Sequence, residues 1–266
     1  MAAFGRPHIL AVCFALLIAV LSQKTHHDSV LEGVPSGKTP VLDLSYAIND
    51  KLVPWPGDEK FFEATVNASV EKNGYFTRSF WMLEHYGTHL DAPAHFPPGK
   101  TTVDQIAVKQ LFGPAVVFDV RAESGKDADY QLGATRVEEW ENRHGRIPDG
   151  AIVLLRTGWA SRWPDVRKYR NQDDKGKMHF PGFSPEAAKL LIRRKVSGLG
   201  CDTLSIDRGV SSDYAVHHLA LGADLYQLEN LTDLSALPET GAFLIVAPIK
   251  LEGGSGGPVR VFALLP

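Results

Sequence analysis

Cysteine is scarce: the 266 residues hold two, Cys13 and Cys201, too few for a disulfide scaffold or a four-thiolate zinc site. No excess of one charge appears either. Lys and Arg number 28 against 31 Asp and Glu, leaving a formal net charge of -3 with the basic residues scattered along the chain. Without a basic stripe or polybasic patch, nucleic acid and membrane surfaces are not expected partners, and a small molecule is. Internal repeats are missing, and low complexity is confined to "GGSGG" at Gly253 to Gly257, which reads as a turn between the last two strands. Long apolar runs are missing too. The run from Ile9 to Leu21 falls short of the roughly 20 residues that a membrane span needs. One Arg precedes it and Ser22 and Gln23 follow, so residues 1–22 read as a secretory signal peptide cut after Ser22, with an uncleaved anchor as the alternative. Cleavage would leave Cys201 alone, without an internal disulfide.

What remains has ordinary globular composition, 44 % hydrophobic and 22 % charged, enough to bury a substantial core. A polar stretch, 23–39, reads as a flexible leader, and 40–266 as one domain. "VLDLSYAI", "FFEATVNASV" and "FTRSFWMLEH" read as strands around "LVPWPGDEK", whose prolines and glycine enforce an irregular loop. "GPAVVFDVR", "GAIVLLRTGW", "VSGLGCDTLSID" and "GAFLIVAPIKL" are apolar runs of the kind found in strands buried on both faces. "TRVEEWENRHG" reads as a helix capped by Thr135, and "SPEAAKLLIRRKV" as one capped by Ser184 with Pro185 at its first position. The expected fold class is α/β, a single domain with a curved mixed sheet or barrel-like core and flanking helices. Asn67 and Asn230 both start glycosylation triplets, and Asn67 is the better candidate.

Chemistry concentrates in "FWMLEHYGTHLDAPAHFPPGK", Phe80 to Lys100, which leaves three readings: a metal site, a catalytic loop, or a polar turn. Gly87 and the nearby prolines exclude a continuous helix, so the stretch is expected to be a loop leaving a strand. Extended backbone would point His89 and Asp91 to one side, and a tight turn at Tyr86-Gly87 would bring His85 beside them. Two imidazoles and a carboxylate suit a divalent ion such as zinc or manganese and leave coordination positions open. His95 is a fourth ligand, a proton shuttle, or a loop residue without a role. Far downstream, His217 and His218 precede Glu229, a carboxylate in an apolar segment that calls for a partner.

The run from His85 to Phe96, "HYGTHLDAPAHF", resembles the HxGTHxDxPxHF signature of the metal-dependent cyclase family, which includes bacterial-type kynurenine formamidases and isatin hydrolases. "WPGD", "LLRTGW", "GCDTLSID" and "ENL" extend the resemblance from about Pro40 to Phe262. It implies a swivelling β/β/α fold, His85, His89 and Asp91 on one ion, and His217 with Glu229 completing a second; the twelve-residue spacing favours His217 over His218. It further implies His95 as acid/base and Trp55 as a pocket residue, with Phe96 a possible stacking partner and Trp81 read as core. One or two ions, zinc or manganese, remain open. The expected activity is hydrolysis of an aryl formamide such as N-formylkynurenine; the alternatives are isatin-type lactam opening and an extracellular metal-binding protein without turnover. A homodimer or larger homo-oligomer is also implied, while the signal-peptide reading separately predicts a secreted or secretory-lumen location.

Overall fold

A computed structural model describes residues 32–266, so the signal-peptide reading, its consequence for location, Cys13 and the first part of the leader lie outside the described residues. Two compact units are present, one running to Leu42 and including Leu264–Pro266, the other Asp43–Ala263. In the first, the Lys38 and Thr39 amides donate to the Gly33 carbonyl in a closed turn, followed by the short strand β1 (Val41–Asp43).

The second unit carries an exposed hairpin, β2 (Phe62–Ala68) with β3 (Thr77–Met82), paired antiparallel from Phe62↔Met82 to Ala68↔Thr77. Trp81, expected in the core, stands on this hairpin 45 % exposed, with Lys60 Nζ 4.9 Å from its ring centroid. Alternation explains the error: with both hairpin faces largely open to solvent, an aromatic residue there gains no burial.

The strands that follow close on themselves. After β4 (His89–Asp91) come β5 (Phe112–Asp119), β6 (Gln131–Leu132), β7 (Ile152–Arg156), β8 (Gly182–Phe183), β9 (Gly198–Cys201), β10 (Tyr226–Glu229), β11 (Phe243–Pro248) and β12 (Gly256–Leu264). The order β12-β11-β5-β7-β9-β10-β4 is sealed by a β12–β4 pairing, which makes a seven-stranded mixed barrel. Strands β5, β7, β9 and β10 run parallel, while β11 and β4 are antiparallel to their neighbours. The parallel strands are covered on both faces, which is why "IVLLR" of β7 is buried throughout.

Three helices cover the barrel's outside: α1 (Ala134–His144), α2 (Pro185–Arg193) and α3 (Ala215–Gly222). Their Val137, Trp140, Leu191, Val216 and Ala220 pack with Val116, Phe118, Val153, Leu155 and Leu199 of the strands in one core. Ser184 caps α2 as expected, its Oγ accepting from the Ala187 amide at 3.1 Å, with Pro185 at the first position. Thr135 does not cap α1; Gly133, extended at φ -88° and ψ 165°, does. The chain leaves β6 at Leu132 and enters the helix at once, so strand pairing with β8 sets the start instead of the Thr135 hydroxyl. Strands β6, β8 and β10 had no separate signal, because two to four residues are too few to show alternation.

Candidate metal centre and its pocket

The motif's central residues are a strand and not the expected loop. His89, Leu90 and Asp91 form β4, held between β10 and β12, with Glu229 registered against His89 on one side and Gly256 against Asp91 on the other. The missing signal was a pair of neighbours, since three residues make a strand only when both sides are paired. Period-two geometry sends His89 and Asp91 to the same face, as anticipated. Gly87, at φ +69°, makes the turn before them, a conformation that is easy only without a Cβ. That turn returns His85 to the strand, with Nδ1 2.6 Å from Asp91 Oδ1.

Glu229 and His217 arrive from β10 and α3. His217 Nε2 is 3.5 Å from Asp91 Oδ2 and 3.3 Å from Glu229 Oε1, and His89 Nε2 is 3.5 Å from Glu229 Oε2. Among the described residues two groups could each hold a metal ion, His85–His89–Asp91 and Asp91–His217–Glu229, sharing one aspartate. His218, the alternative, faces outward and only touches the edge of Phe96, at 4.9 Å between ring centroids.

Each imidazole has its second nitrogen engaged. His89 Nδ1 donates to the Gly87 carbonyl at 2.9 Å, and His217 Nδ1 to Asp207 Oδ2 at 2.6 Å, so both turn Nε2 inward, where an ion would displace its proton. Asp207 also accepts the Val216 and His217 amides, so it starts α3 and orients its histidine together. Asn230, buried at φ +55°, ties the second motif to the first by donating from Nδ2 to the Gly87 carbonyl. This engagement leaves Asn67, exposed on β2, as the glycosylation triplet open to solvent.

The field inside the site favours a cation. Burial would depress His89, yet the Asp91 and Glu229 carboxylates carry it up to about 9. Burial likewise opposes charge on His217, but its hydrogen bonds to Asp207, Asp91 and Glu229 hold it well above its ordinary value. For Asp91 burial would raise the pKa, and the His89 and His85 rings instead keep it well below the carboxylate range. Asp91 Oδ2 is buried without a hydrogen-bond partner. A buried carboxylate oxygen ringed by imidazole nitrogens is the donor set of zinc or manganese, so these residues fit such an ion.

A cavity of about 520 Å³ opens beside this cluster, lined by Trp55, Phe96, Tyr214 and His95 among others. His95 ends a 3₁₀ turn, Pro93–His95, and stacks on His85 with centroids 3.9 Å apart. Burial pushes its pKa down to about 4, assisted by the His85, His217 and His89 charges against the pull of Asp91. No side-chain hydrogen bond engages this ring among the described residues, so His95 is a neutral imidazole free to meet a ligand. Trp55 stands between the cavity and the Trp159–Tyr169 cluster, and Phe96 lies 4.7 Å from the His217 ring.

Sequence reasoning missed Tyr214, Asp207, Glu84 and Ser255. Tyr214 sits at φ +48°, a conformation costly for an aromatic residue, with its ring 5.6 Å from Phe96 and 6.4 Å from Trp55. The one available signal was its place three residues before His217. Asp207 stood in the quoted "GCDTLSID" without an assigned task.

Known proteins match this arrangement. The Cyclase family model matches residues 42–208. Isatin hydrolase of Roseibium aggregatum is 34 % identical over 249 residues, spanning 87 % of this chain and 94 % of that protein. Kynurenine formamidase of Bacillus cereus is 29 % identical over 223 residues, spanning 82 % and 94 %. A crystal structure of an isatin hydrolase bound to the product analogue thioisatinate superposes with a TM-score of 0.84 at 30 % identity, covering 91 % of this chain and 98 % of that one. With the family model spanning most of the folded chain and the barrel shared with these relatives, the chain belongs to the Cyclase family and is a metal-dependent hydrolase acting on amide C–N bonds.

Proposed function

We propose that this hydrolase opens the lactam ring of an isatin-type aromatic substrate. The observation that carries the reading is His95, a neutral and unengaged imidazole stacked on His85 at the mouth of an aromatic pocket. Likeness to isatin hydrolase, 34 % identical against 29 % for the formamidase, supports the lactam over the formamide that the motif alone put first.

His85, His89 and Asp91 would hold an ion, and His217 and Glu229 a second through the shared Asp91. When bound, such an ion lowers the pKa of a coordinated water to roughly 7 and polarises a carbonyl at the same centre. Trp55, Phe96 and Tyr214 would stack on the aromatic ring of the substrate and orient its carbonyl toward the ligand cluster. His95 takes a proton from the attacking water and returns it to the departing nitrogen as the C–N bond breaks and a carboxylate forms, a role worth about 10²- to 10⁴-fold. Asp207 keeps His217 in one tautomer throughout.

The test is steady-state assay of the zinc- and manganese-loaded protein on isatin and on N-formylkynurenine. Isatin is expected to give the higher kcat/KM, by at least about tenfold. Higher kcat/KM on N-formylkynurenine would favour the second reading, aryl formamide hydrolysis, and turnover of neither would overturn both.

A further inference from the structure

The glycine-rich segment Gly253 to Gly257 reads as a turn, and the proposed reaction assigns it nothing. Its serine nevertheless lies against the ligand cluster. Ser255 donates twice to Glu84 Oε2, from its backbone N–H at 2.9 Å and from its hydroxyl at 2.7 Å. A carboxylate only accepts, so the hydroxyl proton is committed to Glu84. His85 Nε2 lies 2.9 Å from that same hydroxyl oxygen and must therefore be the donor. Nδ1, the atom facing Asp91 Oδ1 at 2.6 Å, is then the ring nitrogen left to serve an ion. Without an ion a proton on Nδ1 bridges the two, and a bound ion would take that proton's place.

The neighbouring glycine serves the same end. A Cβ on Gly256 would fall 2.6 Å from His85 Cε1 and 2.5 Å from the Leu90 carbonyl oxygen, so only glycine lets the segment lie against the ring. The Ala92 amide donates to the Ser255 carbonyl at 2.9 Å, fixing the serine to the end of β4. Solvent access decides why His85 needs this support. Its side chain is 25 % exposed, against 4 % for His89 and 5 % for His217, so water competes for its ring nitrogens as it cannot for the others.

We infer that Glu84 and Ser255 are positioning residues of the metal centre, which hold His85 as the Nε2–H tautomer with Nδ1 aimed at the ion, while Gly256 leaves room for the ring. This rests on the metal-hydrolase reading above. The experiment is competition of the full-length protein against a chelating indicator for Zn²⁺ and Mn²⁺, in the wild type, Ser255→Ala, Ser255→Thr and Glu84→Gln. Ser255→Ala is expected to weaken ion affinity about ten- to hundredfold, and Ser255→Thr, which keeps the hydroxyl, by no more than about threefold. Nitrogen NMR of the histidine-labelled, Zn²⁺-loaded protein is expected to show His85 bound through Nδ1 with Nε2 protonated in the wild type, and a mixture of Nδ1- and Nε2-bound forms in Ser255→Ala. If Ser255→Ala does not fold, Glu84→Gln carries the same test, with a weaker affinity and the same mixed signature expected. Affinity in the folded variant within threefold of a wild type that binds the ion would overturn this inference alone. A wild type that binds neither ion would overturn the metal reading, and this inference with it.

Discussion

At the scale of single residues, His95 and Tyr214 mark the boundary between holding an ion and using it. His95 stacks on His85 and meets the His217 ring edge-on with centroids 6.2 Å apart, and among the described residues no hydrogen bond restrains its ring. His95→Ala is therefore expected to lower kcat by about 10²- to 10⁴-fold while ion affinity stays within a few fold, measured by steady-state kinetics beside metal titration. An equal loss in both would make His95 a ligand instead. Tyr214 occupies its left-handed backbone at a cost on the order of 1–3 kcal/mol, which persists only where the surroundings enforce it. Substituting Tyr214→Gly removes that strain along with the ring. KM for an aromatic substrate should rise at least about tenfold with thermal stability nearly unchanged, and an unchanged KM would assign the strain to packing alone.

At the scale of elements, the end of β5 shows how charge pins a loop. Arg156, buried at the end of β7, donates to the Leu234 and Leu237 carbonyls and reaches Asp119 Oδ2 at 3.0 Å. Burial would raise Asp119, but hydrogen bonds from Arg121 and the Arg156 charge bring it down to about 2. A carboxylate depressed in the folded state stabilises the fold fully above its unfolded pKa near 4, and this contribution is lost as pH falls toward 2. Discounted for solvent screening at this partly open site, the shift is worth roughly 1 kcal/mol. Asp119→Asn should cost about that much at pH 7 and flatten the stability curve between pH 4 and 2, as read from urea unfolding at a series of pH values. A variant with the wild-type acid slope would show that other carboxylates dominate there.

At the scale of the barrel, closure and chemistry use the same short strand. Strand β4 joins β10 to β12, and two of its residues, His89 and Asp91, belong to the groups that could hold an ion. Ion binding should therefore stabilise the whole unit, because the unfolded chain does not assemble these groups. At one hundred times the dissociation constant the gain is about 2.7 kcal/mol. Melting curves with increasing Zn²⁺ or Mn²⁺ should shift upward and return on chelation; a melting temperature indifferent to both would separate the ligand cluster from barrel stability.

Much of this was legible in order along the chain. Long apolar strands such as β5 and β7 announced themselves because both faces are covered, and α2 because Ser184 and Pro185 start it. The pattern of His85, His89, Asp91 and His95 was readable because strand periodicity and one glycine turn need only local sequence. The short strands β4, β6, β8 and β10 were not, since they exist through their neighbours. By itself the sequence determined which residue types could bind an ion and which family they resemble, for those properties reside in side-chain chemistry and local spacing. Only the tertiary structure decided that Glu229 stands opposite His89, that His217 and not His218 faces the cluster with Asp207 orienting it, and that a glycine-rich turn presses its serine onto His85. Those contacts join residues distant in the chain, and barrel closure is the physical event that brings them within hydrogen-bond reach.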